Sequence, residues 1–166
     1  MEIAGITSNT PNPANGEIIK NPKTGQPTGI LTNKAQELIT SHIPPPTPDK
    51  IEKALKLAID ECLRNGLTTV HEANTTAAML EALRTLRKKN ELKCRVYVML
   101  DGTDGNLLEP FFIKGPEIDP NHMLSIRCIK IFVDGALGSR GAALLEPYSD
   151  SPEVRGVIVT SEDSLY

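Results

Sequence analysis

The chain has 166 residues, with 18 Lys+Arg against 21 Asp+Glu and a formal net charge of −3. That length can bury a core of its own, yet it falls short of the roughly 250 residues of a typical (β/α)₈ barrel. Charged residues at 23% and apolar ones at 39% exclude wholesale disorder, and the near-neutral balance leaves no electrostatic footprint for nucleic acid or a membrane surface.

Residues 1–46 hold seven Pro, and the apolar pairs Ile18-Ile19 and Ile30-Leu31 are separated by turn signals such as Asn15-Gly16 and Lys23-Thr24-Gly25. This pattern predicts a small segment of short strands and tight turns, with one or two helical turns over 35–39. Pro44-Pro45-Pro46 forces an extended connector, which places the boundary between a β-rich segment, 1–46, and an α/β domain, 47–166. Thr47 as N-cap and Pro48 at the first position open a helix whose apolar face is Ile51, Ala54, Leu55, Ala58, Ile59, Cys62 and Leu63, with Gly66 just past its end. Leu67–His71 reads as a strand, and Asn74 or Thr75 caps a second helix with Met79, Leu80, Leu83 and Leu86 on one face. A strand follows at Cys94–Leu100. Leu107 to Ile113 suggests a short helix broken by Gly115-Pro116, and 126–133 is the clearest strand in the chain. Gly156–Val159 reads as a last short strand, and Ser161-Glu162-Asp163 as the opening of another helix.

Alternating strands and helical connections imply parallel strands. The two architectures are a (β/α)₈ barrel and a doubly wound open sheet, and the second loses support because no phosphate-binding glycine loop follows any strand. The expected fold class is therefore α/β, a partial TIM-like (β/α) barrel preceded by a small Pro/Gly-rich β segment. Cys62, Cys94 and Cys128 lie 32 and 34 residues apart, a spacing that matches no metal knuckle. They read as buried free thiols in a reducing compartment. With no signal-peptide core and no apolar run near the roughly 18 residues of a membrane span, the expected location is the cytoplasm.

In parallel α/β folds the functional groups project from the C-terminal ends of strands. Those ends carry His71 and Glu72, then Asp101, then Lys130 and Asp134. Alternation puts Ile126, Cys128, Lys130 and Phe132 on one face, so a lysine points inward. Such a lysine is either salt-bridged to Asp134 or Glu72, or kept neutral and converted by CO₂ to a carbamate able to ligate metal. His71 reads as a wall residue more readily than as a ligand, and His42 and His122 as structural or exposed. One lysine and one histidine fall short of the three or four donors of a metal site. In the loop Asp134-Gly135-Ala136-Leu137-Gly138-Ser139-Arg140-Gly141, glycines let backbone approach a ligand, Ser139 offers a hydroxyl and Arg140 a planar fork for a carboxylate.

The block from Ile129 to Asp150, IKIFVDGALGSRGAALLEPYSD, resembles a signature of the amidohydrolase superfamily, and in particular amidohydrolase family 3, the YtcJ-like metal-dependent hydrolases. Asn65–Ala73 resembles the family's second-strand segment, and Ala4–Leu31 the stretch leading into its "pTG-L" turn. The resemblance implies a TIM-like barrel that hydrolyses non-peptide carbon–nitrogen bonds of amide or N-acyl substrates, using a divalent metal, zinc by expectation, to activate water. Lys130 matches the strand-end lysine that is carboxylated in many members. His71, Asp134, Gly135, Gly138, Ser139 and Arg140 are then the candidate site-lining residues. The family's first-strand His-x-His pair would lie upstream of Ala4, and its later histidines and aspartate beyond Tyr166. The chain is thus expected to be an inactive central fragment with a small amide as the parent's substrate and no nucleic-acid or membrane partner. The alternative is a non-catalytic half-barrel acting as a binding or scaffolding module, self-associated through its open edges.

Overall fold

The structure is a computed structural model that describes residues 1–14 and 16–165. Asn15, half of one turn signal, therefore lies outside the described residues. Two compact units are present, Met1–Pro45 and Pro46–Tyr166.

In the first unit, β1 (Gly16–Lys20) pairs antiparallel with β2 (Pro27–Asn33). Their connection closes on Asn21, whose Oδ1 accepts the N–H of Lys23 at 2.8 Å, with Gly25 at φ 70°. A 3₁₀ turn, Lys34–Gln36, runs into the one-turn helix α1 (Glu37–Thr40). Ile6, Ile18 and Ala35 form its small core. Gly16 is required there, because a Cβ would sit 2.9 Å from the Lys34 carbonyl carbon and closer still to the Ala35 nitrogen.

The second unit begins with α2 (Pro48–Arg64). Thr47 has the extended backbone of an N-cap, but its hydroxyl makes no capping bond. The helix ends on Gly66 at φ 74°, with the Leu67 N–H bonded to the Cys62 carbonyl at 2.9 Å. Only part of the expected apolar face is covered: Ile59 is buried, Ile51, Leu55 and Cys62 are half-buried, and Ala54, Ala58 and Leu63 are exposed. β3 spans Thr69–Thr75, so His71 lies in mid-strand and does not end it. The next cap is Thr76, whose hydroxyl accepts the Met79 N–H at 3.4 Å; Asn74 and Thr75 stay in the strand. α3 (Ala77–Lys88) buries Leu80, Leu83 and Leu86, and β4 follows at Arg95–Asp101. Asp104 caps α4 (Gly105–Lys114), which Gly115 ends at φ 84°. β5 (Glu117–Ile118) and β6 (Leu124–Lys130) complete the sheet.

The sheet order is β3-β4-β6-β5, with β3, β4 and β6 parallel, as expected, and β5 an antiparallel edge strand. One face is covered by α2, α3 and α4 through Ile59, Leu80, Leu83, Leu86, Leu107 and Leu108, packed on Val96, Val98, Leu100, Leu124 and Ile126. A fully buried leucine contributes about 1.5–3 kcal/mol, so this layer holds the unit together. The opposite face has no helix on it among the described residues.

Two bulges decide which side chains reach that open face. Asn74, at φ 71°, is the extra residue between Ala73 and Thr75. On β6, Val98 pairs with Ile126 but Met99 pairs with Cys128, so Arg127 is the extra residue. The expected face of Ile126, Cys128, Lys130 and Phe132 is therefore corrected. Ile126 is fully buried under the helices, while Cys128 and Lys130 lie beside Met99 and Asp101 on the other side. β6 also ends at Lys130, three residues before the expected limit.

Residues 131–160 form a loop lobe. Gly156–Val159 is not a strand but returns to the sheet end through one bridge, Asp134 to Ile158, and a Val159 N–H bond to the Val133 carbonyl at 2.9 Å. The segment after Ser161 is a single 3₁₀ turn, Glu162–Ser164. No helix of the described residues is long and apolar enough to cross a membrane.

Candidate functional site

The open face of the sheet is layered by register, with polar side chains at its first and last levels. His71, Tyr97 and Ser125 share one level, Ala73, Met99 and Cys128 the next, and Asp101 and Lys130 the last, at the C-terminal edge. His71 is exposed and stacks on Tyr97, with ring centroids 4.8 Å apart and planes 23° from parallel. Tyr97 escaped the sequence reading, although its alternation with Val96 and Val98 places it on the polar face.

Lys130 is half-buried and forms neither of the anticipated ion pairs. Its Nζ lies 4.5 Å from the Phe132 ring centroid, a cation–π contact. Its backbone is fixed from β4: the Gly102 N–H donates to the Lys130 carbonyl at 2.9 Å. A Cβ at Gly102 would come within 2.5 Å of Ile131 Cγ1 and 2.7 Å of that carbonyl oxygen, so only glycine allows this approach. Asp101, beside Lys130 in register, turns its Oδ1 to the Thr103 N–H and hydroxyl at 2.9 and 2.7 Å. Glu72 alternates with His71 and lies level with the buried Val98; burial pushes its carboxyl pKa up.

The start of β6 is held by Asp119. Its carboxylate accepts the Arg87 guanidinium at 2.7 Å and the N–H groups of Asn121, Met123 and Leu124 at 3.1, 2.6 and 3.1 Å. These contacts, Arg87 first, hold its carboxyl well below the usual range. The strand bearing Lys130 is thereby tied to α3.

The lobe is built from its own backbone. Asp134 Oδ2 accepts the Ala143 N–H at 3.0 Å, and the Tyr148 hydroxyl donates to the Ala142 carbonyl at 2.9 Å. Gly135 allows the chain to cross itself, since a Cβ there would meet the Gly141 carbonyl oxygen at 2.5 Å. Ser139 donates to the Ala136 carbonyl at 3.2 Å, and Gly138 has open space beside it. The Arg140 fork is filled: Nε and Nη2 donate to Asp150 at 3.2 and 2.8 Å. Asp150, ten positions further along, carried no signal in the sequence that would link it to Arg140.

Donor chemistry limits what these residues can hold. No group of three or more His, Cys, Asp or Glu able to bind a metal occurs among the described residues, so they do not by themselves fit a complete metal site. All three cysteines are free, but only Cys94 is buried, which raises its thiol pKa; Cys62 and Cys128 are half-buried, correcting the expectation of three buried thiols, because Cys62 lies at the edge of the α2 face and Cys128 on the open face of the sheet.

The comparisons with known proteins concern the chain as a whole, the parallel α/β sheet and the glycine-spaced lobe included. The sequence model of the amidohydrolase family matches residues 1–164, and the chain belongs to that family. It is 35% identical over 173 aligned residues to the Bacillus subtilis (strain 168) protein named "Putative amidohydrolase YtcJ", covering 99% of this chain and 31% of that protein. It is 29% identical to "Protein LONG AFTER FAR-RED 3" of Arabidopsis thaliana, covering 99% and 30%. Among solved structures, an uncharacterized metal-dependent hydrolase from Pyrococcus horikoshii OT3 superposes with a TM-score of 0.69 at 26% identity, over 89% of this chain and 30% of that one. A second such hydrolase, from Pyrococcus furiosus, shares the fold with a TM-score of 0.65 at 24% identity. The chain thus spans just under a third of the length of the curated relatives it matches.

Proposed function

We propose that this chain is the central part of a metal-dependent hydrolase that cleaves non-peptide carbon–nitrogen bonds of small amide or N-acyl substrates. In this reading β3, β4 and β6 are strands of a (β/α) barrel completed by other parts of a longer protein, and the open face is the barrel interior. The observation that carries it is Lys130. It stands at the C-terminal edge of that face, half-buried, its backbone clamped by Gly102 and its amine without a carboxylate partner among the described residues.

The chain's own chemistry begins at Lys130 Nζ. The amine attacks the carbon of CO₂, a C–N bond forms, one C=O π pair moves to oxygen, and the nitrogen releases a proton to solvent. The carbamate is an anionic oxygen donor; the remaining ligands, and the histidines the family resemblance implies, come from outside these residues. A divalent cation, zinc by expectation, would supply Lewis-acid polarisation of the substrate carbonyl, and of the described residues only the Lys130 carbamate would help hold it. His71 and Tyr97 form the floor two levels below, Asp101 stands beside the lysine, and the 134–141 loop, with Asp134, Gly135, Gly138, Ser139 and Arg140, walls the strand end. The free thiols fit a reducing cytoplasm.

The test is carbon-13 NMR of the protein expressed from its complete reading frame and equilibrated with labelled bicarbonate. A carbamate resonance that disappears in Lys130→Ala, with amide hydrolysis lost and partly rescued by short carboxylates, is expected. Undiminished hydrolysis by Lys130→Ala would return the lysine to a purely structural role.

A further inference from the structure

We infer that Asn65 is a modification site: its side-chain amide is lost to Gly66 from the open form of the α2 end, leaving aspartate or isoaspartate, and Glu61 is the latch that sets how much of that form exists. The sequence holds two Asn-Gly pairs, 15–16 and 65–66, and the second closes α2. Gly66 stands there for a structural reason, since its φ of 74° is one that other residues rarely adopt. The same missing side chain leaves its nitrogen open to reaction. Nothing lies within 4 Å of where a Cβ would stand, and both residues are exposed to water. The Gly66 nitrogen can attack Asn65 Cγ: an N–C bond forms, the Cγ–Nδ2 bond breaks, and ammonia leaves with the Gly66 proton. Water then opens the cyclic imide at Cγ to give aspartate, or at the main-chain carbonyl to give isoaspartate.

The native geometry holds the reacting groups apart. At ψ 11° the Gly66 nitrogen nearly eclipses the Asn65 nitrogen, whereas ring closure needs it to eclipse Cβ. Its N–H donates to the Leu63 carbonyl at 3.0 Å. The leaving nitrogen is drawn back along the helix: Asn65 Nδ2 donates to the Glu61 carbonyl and to Glu61 Oε1, both at 2.9 Å. Arg64 pairs with the other Glu61 oxygen. Reaction therefore requires the helix end to fray, a local opening, and the Glu61 carboxylate is the side chain that ties Asn65 down. Conversion then keeps the end loose. A carboxylate at 65 faces Glu61 and the negative end of α2. Isoaspartate adds a carbon to the main chain just before Leu67, whose N–H closes the helix on the Cys62 carbonyl at 2.9 Å. The change falls at the entry to β3, the strand of His71.

The protein from its complete reading frame, aged at neutral pH, tests this by mass spectrometry of the tryptic peptide that starts at Asn65, with fragmentation separating aspartate from isoaspartate. The folded protein is expected to convert at least tenfold more slowly than the same chain in urea, with isoaspartate among the products. Glu61 is exposed, so its replacement leaves the core untouched. Glu61→Ala should raise the folded rate at least threefold and leave the rate in urea within twofold. Glu61→Gln, which keeps an oxygen acceptor, should fall between the parent and Glu61→Ala. Converted protein should exchange the Leu67 amide at least fivefold faster, with the Val96 amide unchanged. An absence of conversion in urea overturns the site. Equal rates in the folded and urea-treated protein, or a folded rate that Glu61→Ala does not move, overturn the latch. An unchanged Leu67 amide overturns the loosening of the helix end.

Discussion

Gly156→Ala strikes the point where the lobe crosses itself. The native φ of +76° is one that side-chain-bearing residues rarely adopt, and the new Cβ would fall 2.7 Å from the Gly141 carbonyl oxygen and nearer still to the Ala142 carbonyl. The left-handed backbone costs roughly 1–2 kcal/mol for an L-residue. Overlap with backbone atoms that cannot rotate away costs about 1–3 kcal/mol more. The lobe should therefore open locally while the sheet persists. Native-state hydrogen exchange reads this directly, because the amides of Leu144, Tyr148 and Val157 are bonded across the lobe to Arg155, Val154 and Gly141 at 2.9, 2.9 and 3.0 Å. A loss of about 2 kcal/mol corresponds to roughly 30-fold faster exchange at those three sites. The Val96 amide, bonded within the sheet to Met123 at 2.9 Å, should stay protected. Lobe protection within twofold of the parent, or equal loss at Val96, would refute the assignment of a glycine-dependent, separately opening lobe.

Two substitutions report on acid groups with opposite signs. Asp119 has its pKa lowered by Arg87 and the β6 amides, so its contribution is full above its unfolded pKa near 4 and is lost as pH falls toward its folded value. In urea unfolding, Asp119→Asn should be destabilised at pH 7 by an amount that shrinks below about pH 4; a gap that widens on acidification would contradict this. Glu72 has its pKa raised by burial, which penalises the charged form at neutral pH. Glu72→Gln should be more stable than the parent at pH 7 and lose that advantage as the parent's carboxyl protonates. A destabilised variant at pH 7 would mean that Glu72 holds an attractive contact.

The helices and the parallel order were legible because caps, periodicity and glycine stops act locally. Thr47-Pro48, Gly66 and the Leu80, Leu83 and Leu86 stripe lie where the pattern puts them. The face of Lys130 was reached by counting alternation from Ile126, and the count fails across Arg127. A bulge shifts the phase by one residue, and no residue type at that position announces it. The lysine still reaches the open face; Ile126 does not. The strand expected at 156–159 failed for a related reason. Its β-branched residues serve a loop return pinned by Gly135, Gly141 and Gly156, whose need for close backbone crossing appears only in three dimensions. The Arg140 partner was hidden likewise, since the lobe's path alone brings Asp150 to it. The rule of parallel sheets placed Asp101 and Lys130 at strand ends, where they lie; His71 and Glu72 sit in mid-strand because β3 runs on to Thr75, and Asp134 lies in the loop beyond β6. What the rule could not assign was side: His71, Asp101 and Lys130 share the open face, while Glu72 turns toward the helices.

The central claim, that Lys130 on the open face contributes a donor to a metal, is tested most directly by anomalous diffraction at the zinc edge. The crystals should be of the protein from its complete reading frame, grown with bicarbonate. The account predicts a metal peak bonded to a carbamate oxygen on Lys130 Nζ, with Gly102 still donating to the Lys130 carbonyl. A fully occupied metal elsewhere, with Lys130 an unmodified amine lying over Phe132, would contradict it.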